Sequence, residues 1–187
     1  MSTPIKTPGF AHVAGMTAAE VCRRFELSPA AEVLLDAKDT PERLYSLLLA
    51  NGLHEDAIRL VAHSQPRKEL VQWTLACAQV AYAPAVRPAE KEALAAVEAW
   101  LAEPKDARRK AAFEASEKAR MDNPAGLLAA AVFFTGGNIA PPEAGQETPA
   151  PAGVAAQLAA AAVSVAASYG DPSQHQARMA LFLTPVN

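Results

Sequence analysis

Aromatic side chains make up 6% of the 187 residues, cysteine occurs twice and histidine four times. Each scarcity removes a class of chemistry. Cys22 and Cys77 stand far apart inside helical patterns, which provides neither a disulfide framework nor the paired thiolates of a zinc site. They read as buried free thiols. His12, His54, His63 and His175 have no cluster of Cys or carboxylates beside them, and each reads as an exposed or hydrogen-bonded imidazole. His54-Glu55 opens like a zinc-protease motif, but the second His of that motif would fall at Ile58. No Gly-x-Ser-x-Gly elbow occurs, and neither Cys has a His nearby in sequence. Catalytic residues, metal ligands and cofactors are therefore all expected to be none.

Excess charge is lacking too. The 17 basic and 20 acidic residues leave a net charge of −3. The bases are scattered among acids, so no nucleic acid partner is expected. Long apolar runs are also missing. Val154–Ser168 is the most hydrophobic stretch, but it is too short and Ala-rich to span a bilayer, and Gln157 interrupts it. The opening MSTPIKTPGFAHVAG places Pro and Gly where a signal peptide needs an unbroken apolar run. A soluble, cytoplasmic protein without membrane insertion is the expectation.

What the chain does contain is alanine, about a quarter of its residues. Ala loses no side-chain entropy in a helix, and with Leu, Glu, Lys and Arg it points to an all-α fold. Start and stop signals divide it. Thr17-Ala-Ala-Glu20 is a capping box, in which hydroxyl and carboxylate satisfy each other's backbone donors. Ser28-Pro29, Thr40-Pro41 and Asn123-Pro124 each place a capping oxygen before a Pro suited to the first helical position. Asn51-Gly52 stops the third helix near Leu48. Further helices are expected over His54–Ser64, Pro66–Ala83, Pro88–Glu103, Asp106–Met121, Asn123–Phe134 and Val154–Ser168, with a last short one carrying Met179, Leu181 and Phe182.

Residues 1–16 read as a flexible lead-in, and 17–187 as a single helical domain with a Pro-rich internal loop at 138–152. Ala107, Ala111, Ala115 and Ala119 recur every four residues, and Ala155, Ala159, Ala162 and Ala166 form a second small-residue stripe, suggesting smooth seams for close helix packing. Helix pairs starting near 54, 88 and 124 are spaced by about 35 residues, inside the helical-repeat range. The tetratricopeptide pattern fails, because Trp73 and Trp100 lack its Leu-Gly and Tyr. A helical bundle and a short stack of helix hairpins both remain open.

The one distinctive stretch is Leu127–Pro142, LLAAAVFFTGGNIAPP. Thr135-Gly136-Gly137 superficially resembles a phosphate loop, but it leaves a helix C-terminus and no Lys follows. It reads as a helix stop in which glycine supplies positive φ. Phe133 and Phe134 point about 100° apart, so either the helix is buried nearly all round or one ring faces a groove. Arg108, Arg109 and Lys110 sit near a helix start, where the dipole disfavours them, and read as a solvated face or a contact. The loop at 138–152 reads as a flexible connector or a polyproline-like binding segment.

The features Glu69–Trp73, Glu98–Leu101 and Phe133–Pro142 together resemble a family of small bacterial helical proteins of unknown function. Its members have a Trp-bearing helix, an Ala-rich helix and a Phe-Phe-Ser/Thr-Gly-Gly junction. The resemblance covers roughly 17–170 and implies an association with type VI secretion loci. Residues 65–121 also resemble a putative immunity-protein family, without its His-containing C-terminal helix. Neither resemblance supplies catalytic residues.

The functional expectation is a non-enzymatic protein–protein interaction module, as an adaptor, chaperone or accessory protein of a bacterial secretion system. Its partner would be another protein, either a secretion component, an effector or a toxin. Candidate contacts are Phe133, Phe134, Thr135, Gly136, Gly137, Arg108, Arg109 and Lys110. Two alternatives stand beside it: an immunity protein that neutralises a toxin, and an enzyme whose site is assembled from distant helices.

Overall fold

A computed structural model describes residues 5–82 and 86–184. Residues 1–4 of the expected lead-in, the expected break at Pro84 and the last three residues lie outside that range. Among the described residues the regular structure is helical, apart from one isolated antiparallel bridge between Asn138 and Pro149. The helices are α1 (Ala18–Cys22), α2 (Pro29–Glu32), α3 (Pro41–Ala50), α4 (His54–Ser64), α5 (Arg67–Ala81), α6 (Pro88–Ala102), α7 (Asp106–Ala119), α8 (Pro124–Phe133), α9 (Val154–Ser168) and α10 (His175–Phe182). No helix among the described residues is long and apolar enough to cross a membrane.

The local signals act as their chemistry requires. Thr17 and Glu20 close the capping box, and the side chains of Ser28, Thr40 and Asn123 each accept from a first-turn N–H of α2, α3 and α8. Packing then joins two hydrophobic clusters. The first gathers α1, α3, α4 and α10, and the second gathers α6, α7 and α8. Helix α5 belongs to both, α9 reaches the second through Ala162 and α8 reaches the first through Ala131. On α5, Leu70, Trp73 and Cys77 serve the first cluster while Val71, Leu75 and Ala78 serve the second. A helix with two buried faces is a shared wall, which is why its apolar pattern is broader than one stripe.

Where it is described, the expected lead-in packs against the helical core. Ile5, Phe10 and Val13 are buried, Thr7 donates to Phe182 O at 2.8 Å, and a 3-10 turn forms at Ala11–Val13. Burying three apolar side chains favours docking of this segment on the core. The loop at 138–152 carries backbone hydrogen bonds across its base. Ile139 N donates to Thr148 O and Ala150 N to Gly137 O, so its ends are tied while its tip is exposed.

The expected seam on α7 is shifted. Ala112, Ala115 and Ala119 are buried, whereas Ala107 and Ala111 are exposed. Four residues turn a helix through 400°, so a strict four-residue run drifts about 40° per step off any straight contact line.

A buried carboxylate paired with an exposed arginine braces the second cluster. Glu90, 1% exposed, accepts hydrogen bonds from Arg87 backbone and side chain and from Tyr169 Oη. Burial acts to raise its pKa, but those hydrogen bonds outweigh it and hold the carboxyl below the usual range.

Candidate functional site

The junction after α8 is built by two arginines reaching it from other helices. Arg109 of α7 is 4% exposed. Its guanidinium donates to Phe133 O at 2.6 Å, to Asn138 O at 2.7 Å and to Asp106 Oδ1, and lies 4.8 Å from the Phe133 ring centroid. Carbonyls at a helix C-terminus carry partial negative charge, so a buried cation there satisfies both the orphan acceptors and the dipole. Arg67, the first residue of α5, lies over Gly136.

Glycine is required at both positions of the pair. Gly136 and Gly137 have φ of 156° and 69°. A Cβ on Gly136 would stand 2.8 Å from Arg67 Nη1, and one on Gly137 2.9 Å from Arg109 Nη2. The glycines therefore admit two guanidiniums as well as a turn.

The candidate residues separate accordingly. Phe133 is buried, stacked on Phe113 at 4.3 Å, while Phe134 is half-buried and lines a groove. Thr135 is buried, with Oγ1 donating to Val132 O. Of the basic trio, Arg109 alone joins the junction, correcting the expectation of a solvated face for that residue. Arg108 and Lys110 are exposed and pair with Glu103 at 3.9 Å and Asp106 at 3.0 Å. Successive residues point 100° apart, so three neighbours cannot share one target.

Two clefts meet at Thr135–Gly136. One, of about 560 Å³, is lined by Arg23, Arg24, Arg67, His63, Gln65 and Phe134, and by the first turn of α9. The other, of about 370 Å³, is lined by Arg67, Lys68, Trp100, Lys105, Asp106 and Arg109. Six basic residues and one carboxylate line the two clefts on a chain whose net charge is −3; of the six, Lys105 pairs with Glu103 and Arg109 with Asp106, while Arg23, Arg24, Arg67 and Lys68 have no ion-pair partner among the described residues. In sequence these bases are scattered among acids; folding collects them. A readable signal existed in Pro66-Arg67-Lys68 and Lys105 onward, where bases crowd two helix starts against the dipole.

His63 departs from the expectation of an exposed or satisfied imidazole. It is 6% exposed, its ring stacks on Phe25 at 4.9 Å, and Nε2 has no hydrogen-bond partner among the described residues. Burial, with Arg24 nearby, lowers its pKa from 6.5 to about 4. The unfolded chain would bind a proton there near pH 6.5 and the native state would not until about 4. Its contribution to stability is therefore present above pH 6.5 and lost as pH falls towards 4, on the order of 2–3 kcal/mol. Urea unfolding at about pH 7 and about pH 4.5 should register that loss, and His63→Leu should flatten it. An equal slope in the variant would reject the assignment.

A third cleft, of about 700 Å³, brings His63 near Glu26, Glu55 and Arg59, but His63 makes no hydrogen bond to either carboxylate, and Glu55 instead accepts from Ser164. Burial pushes the Cys22 thiol up to about 11, with Asp56 adding to the shift, and burial pushes Cys77 higher. Both would be thiols at neutral pH.

No curated protein and no solved structure matches the chain. Residues 44–185 match a family of unknown function (DUF6931), whose description names no secretion or immunity role. That span takes in α4 to α10, the junction, Arg67 and Arg109, and leaves Arg23 and Arg24 outside it. The chain belongs to this family of unknown function, DUF6931.

Proposed function

We propose that the chain is a non-enzymatic protein-binding module that engages an acidic segment of another protein across the face where the two clefts meet. The observation that supports it is the charge of that face: Arg23, Arg24, Arg67 and Lys68, beside Lys105 and Arg109 with their partners Glu103 and Asp106, converge from the turn after α1 and from the starts of α5 and α7 on Gly136–Gly137. Such a field attracts an acidic partner, speeds its encounter and fixes its orientation. Buried Arg109 and the tied loop hold the surface in place, so little ordering is needed on binding. The sequence resemblance would make the partner a secretion component or effector and the module an adaptor or accessory factor. The immunity reading is less favoured, because blocking a nuclease calls for an acidic face and this one is basic.

Affinity purification of the tagged protein, compared with Lys68→Glu/Lys105→Glu, tests this. Both residues are exposed, so folding should be retained. A partner with an acidic segment should be recovered with the native chain and fall about tenfold or more with the variant and with added salt. Equal recovery by both, or capture of nucleic acid in place of protein, would overturn the reading.

A further inference from the structure

On the basic face of the proposed docking surface, and sharing Arg23, Arg24 and Arg67 with it, we propose that the 560 Å³ cleft is a binding site for a phosphomonoester, its phosphate seated at the N-terminus of α9 between those arginines. Helix α9 runs 15 residues and begins after Gly153, which has φ of 83° and no side chain to cap the first turn. No acidic residue occupies that turn. Its leading N–H groups therefore face the cleft with neither a cap nor a carboxylate to occupy them, and Gly153, Ala155 and Ala156 line the cavity. A helix start alone is not a site, but here a buried side chain is unpaired at the same place. The Cε1 of His63 lies 3.6 Å from where a Cβ on Gly153 would stand, and Nε2, bonded to that carbon, has no partner.

An unpartnered buried nitrogen costs free energy unless a ligand or water meets it. The lining selects the ligand's charge. Three arginines and no carboxylate face the cavity. Arg24 spends part of its guanidinium on His63 O at 2.9 Å, while Arg23 and Arg67 have no ion-pair partner among the described residues. Guanidinium forks match phosphate oxygens bidentately, and a helix N-terminus adds backbone donors, so a dianion is favoured over a single carboxylate. Ala62, Leu70, Phe134 and Pro151 supply an apolar wall, which fits an ester carrying an organic group better than inorganic phosphate.

Titration of the full-length chain with phenyl phosphate, inorganic phosphate, sulfate and benzoate, followed by calorimetry and amide NMR, tests the site. Phenyl phosphate should bind most tightly and shift the amides of residues 154–156. Arg23→Gln/Arg67→Gln, both at exposed positions, should weaken it about tenfold or more with unchanged helicity. A phosphoserine peptide run in parallel separates the source of the same group. Tighter peptide binding assigns the phosphate to a partner chain, and tighter phenyl phosphate to a free metabolite; either supports the phosphomonoester. No binding at about 10 mM, equal binding of sulfate or benzoate, or undiminished affinity in the variant would overturn it. Loss of this site leaves the Lys68 and Lys105 experiment untouched, so the two readings fail separately.

Discussion

Arg109→Met is expected to lower stability by about 3–5 kcal/mol and the melting temperature by roughly 10–15 °C. The side chain is 4% exposed and its removal strands two carbonyls, Phe133 O and Asn138 O, that it now holds at 2.6 and 2.7 Å. Each unsatisfied acceptor costs about 1–3 kcal/mol, and losing the cation from the Phe133 ring adds roughly 1 more. The ion pair to Asp106 adds little, because Asp106 is exposed. Arg109→Lys should recover less than half of the loss, since one ammonium cannot span both carbonyls and the carboxylate. Arg108→Met and Lys110→Met should fall within about 0.5 kcal/mol of the native chain. Thermal melts followed by circular dichroism decide it: an Arg109→Met melt within a few degrees of native would mean that the junction does not depend on this clamp. The same variant should lose partner binding even at temperatures where it remains folded, because Asn138 and the Gly pair are no longer tethered to α7.

Gly126→Ala is the second large effect, and two opposing terms set its sign. In an exposed helix interior the change would gain about 1 kcal/mol from Ala's better propensity. Here the added Cβ would stand 1.8 Å from Arg120 O and 2.7 Å from Arg120 C, both backbone atoms. They cannot move alone. Arg120 holds a left-handed φ of 68°, and its carbonyl is bound by Asn123 Nδ2, whose Oδ1 caps Gly126 N and accepts from Tyr82 Oη. Relieving the clash means dismantling the turn between α7 and α8, at a cost of about 3 kcal/mol or more, which outweighs the propensity gain. A fall of roughly 6–12 °C in melting temperature is expected. A variant as stable as the native chain, or more stable, would show that the turn yields freely and that this close approach is not a constraint.

Much of this architecture is local and was legible beforehand. Thr17, Ser28, Thr40 and Asn123 begin helices because each side-chain oxygen satisfies an N–H two or three residues away, and the helix over His54–Ser64 begins and ends where the pattern places it. Alanine content determined the all-α class for the same reason: propensity is a property of each residue's own backbone. Direction and long-range company were not legible. Nothing within a few residues of Arg109 distinguishes it from Arg108 and Lys110; the 100° step and the position of α8 bury one and expose two. Nor did the scattered bases announce a basic face, since Arg24 after α1, Arg67 of α5 and Arg109 of α7 are brought to one side only by packing through α4, α8 and α9. By itself, then, the sequence determined the all-α class and where most helices start, with their ends placed to within a few residues. Tertiary structure decided which faces of α5 are buried, which arginine clamps the glycine pair and where charge collects, because those outcomes depend on groups tens of residues apart meeting in a shared core.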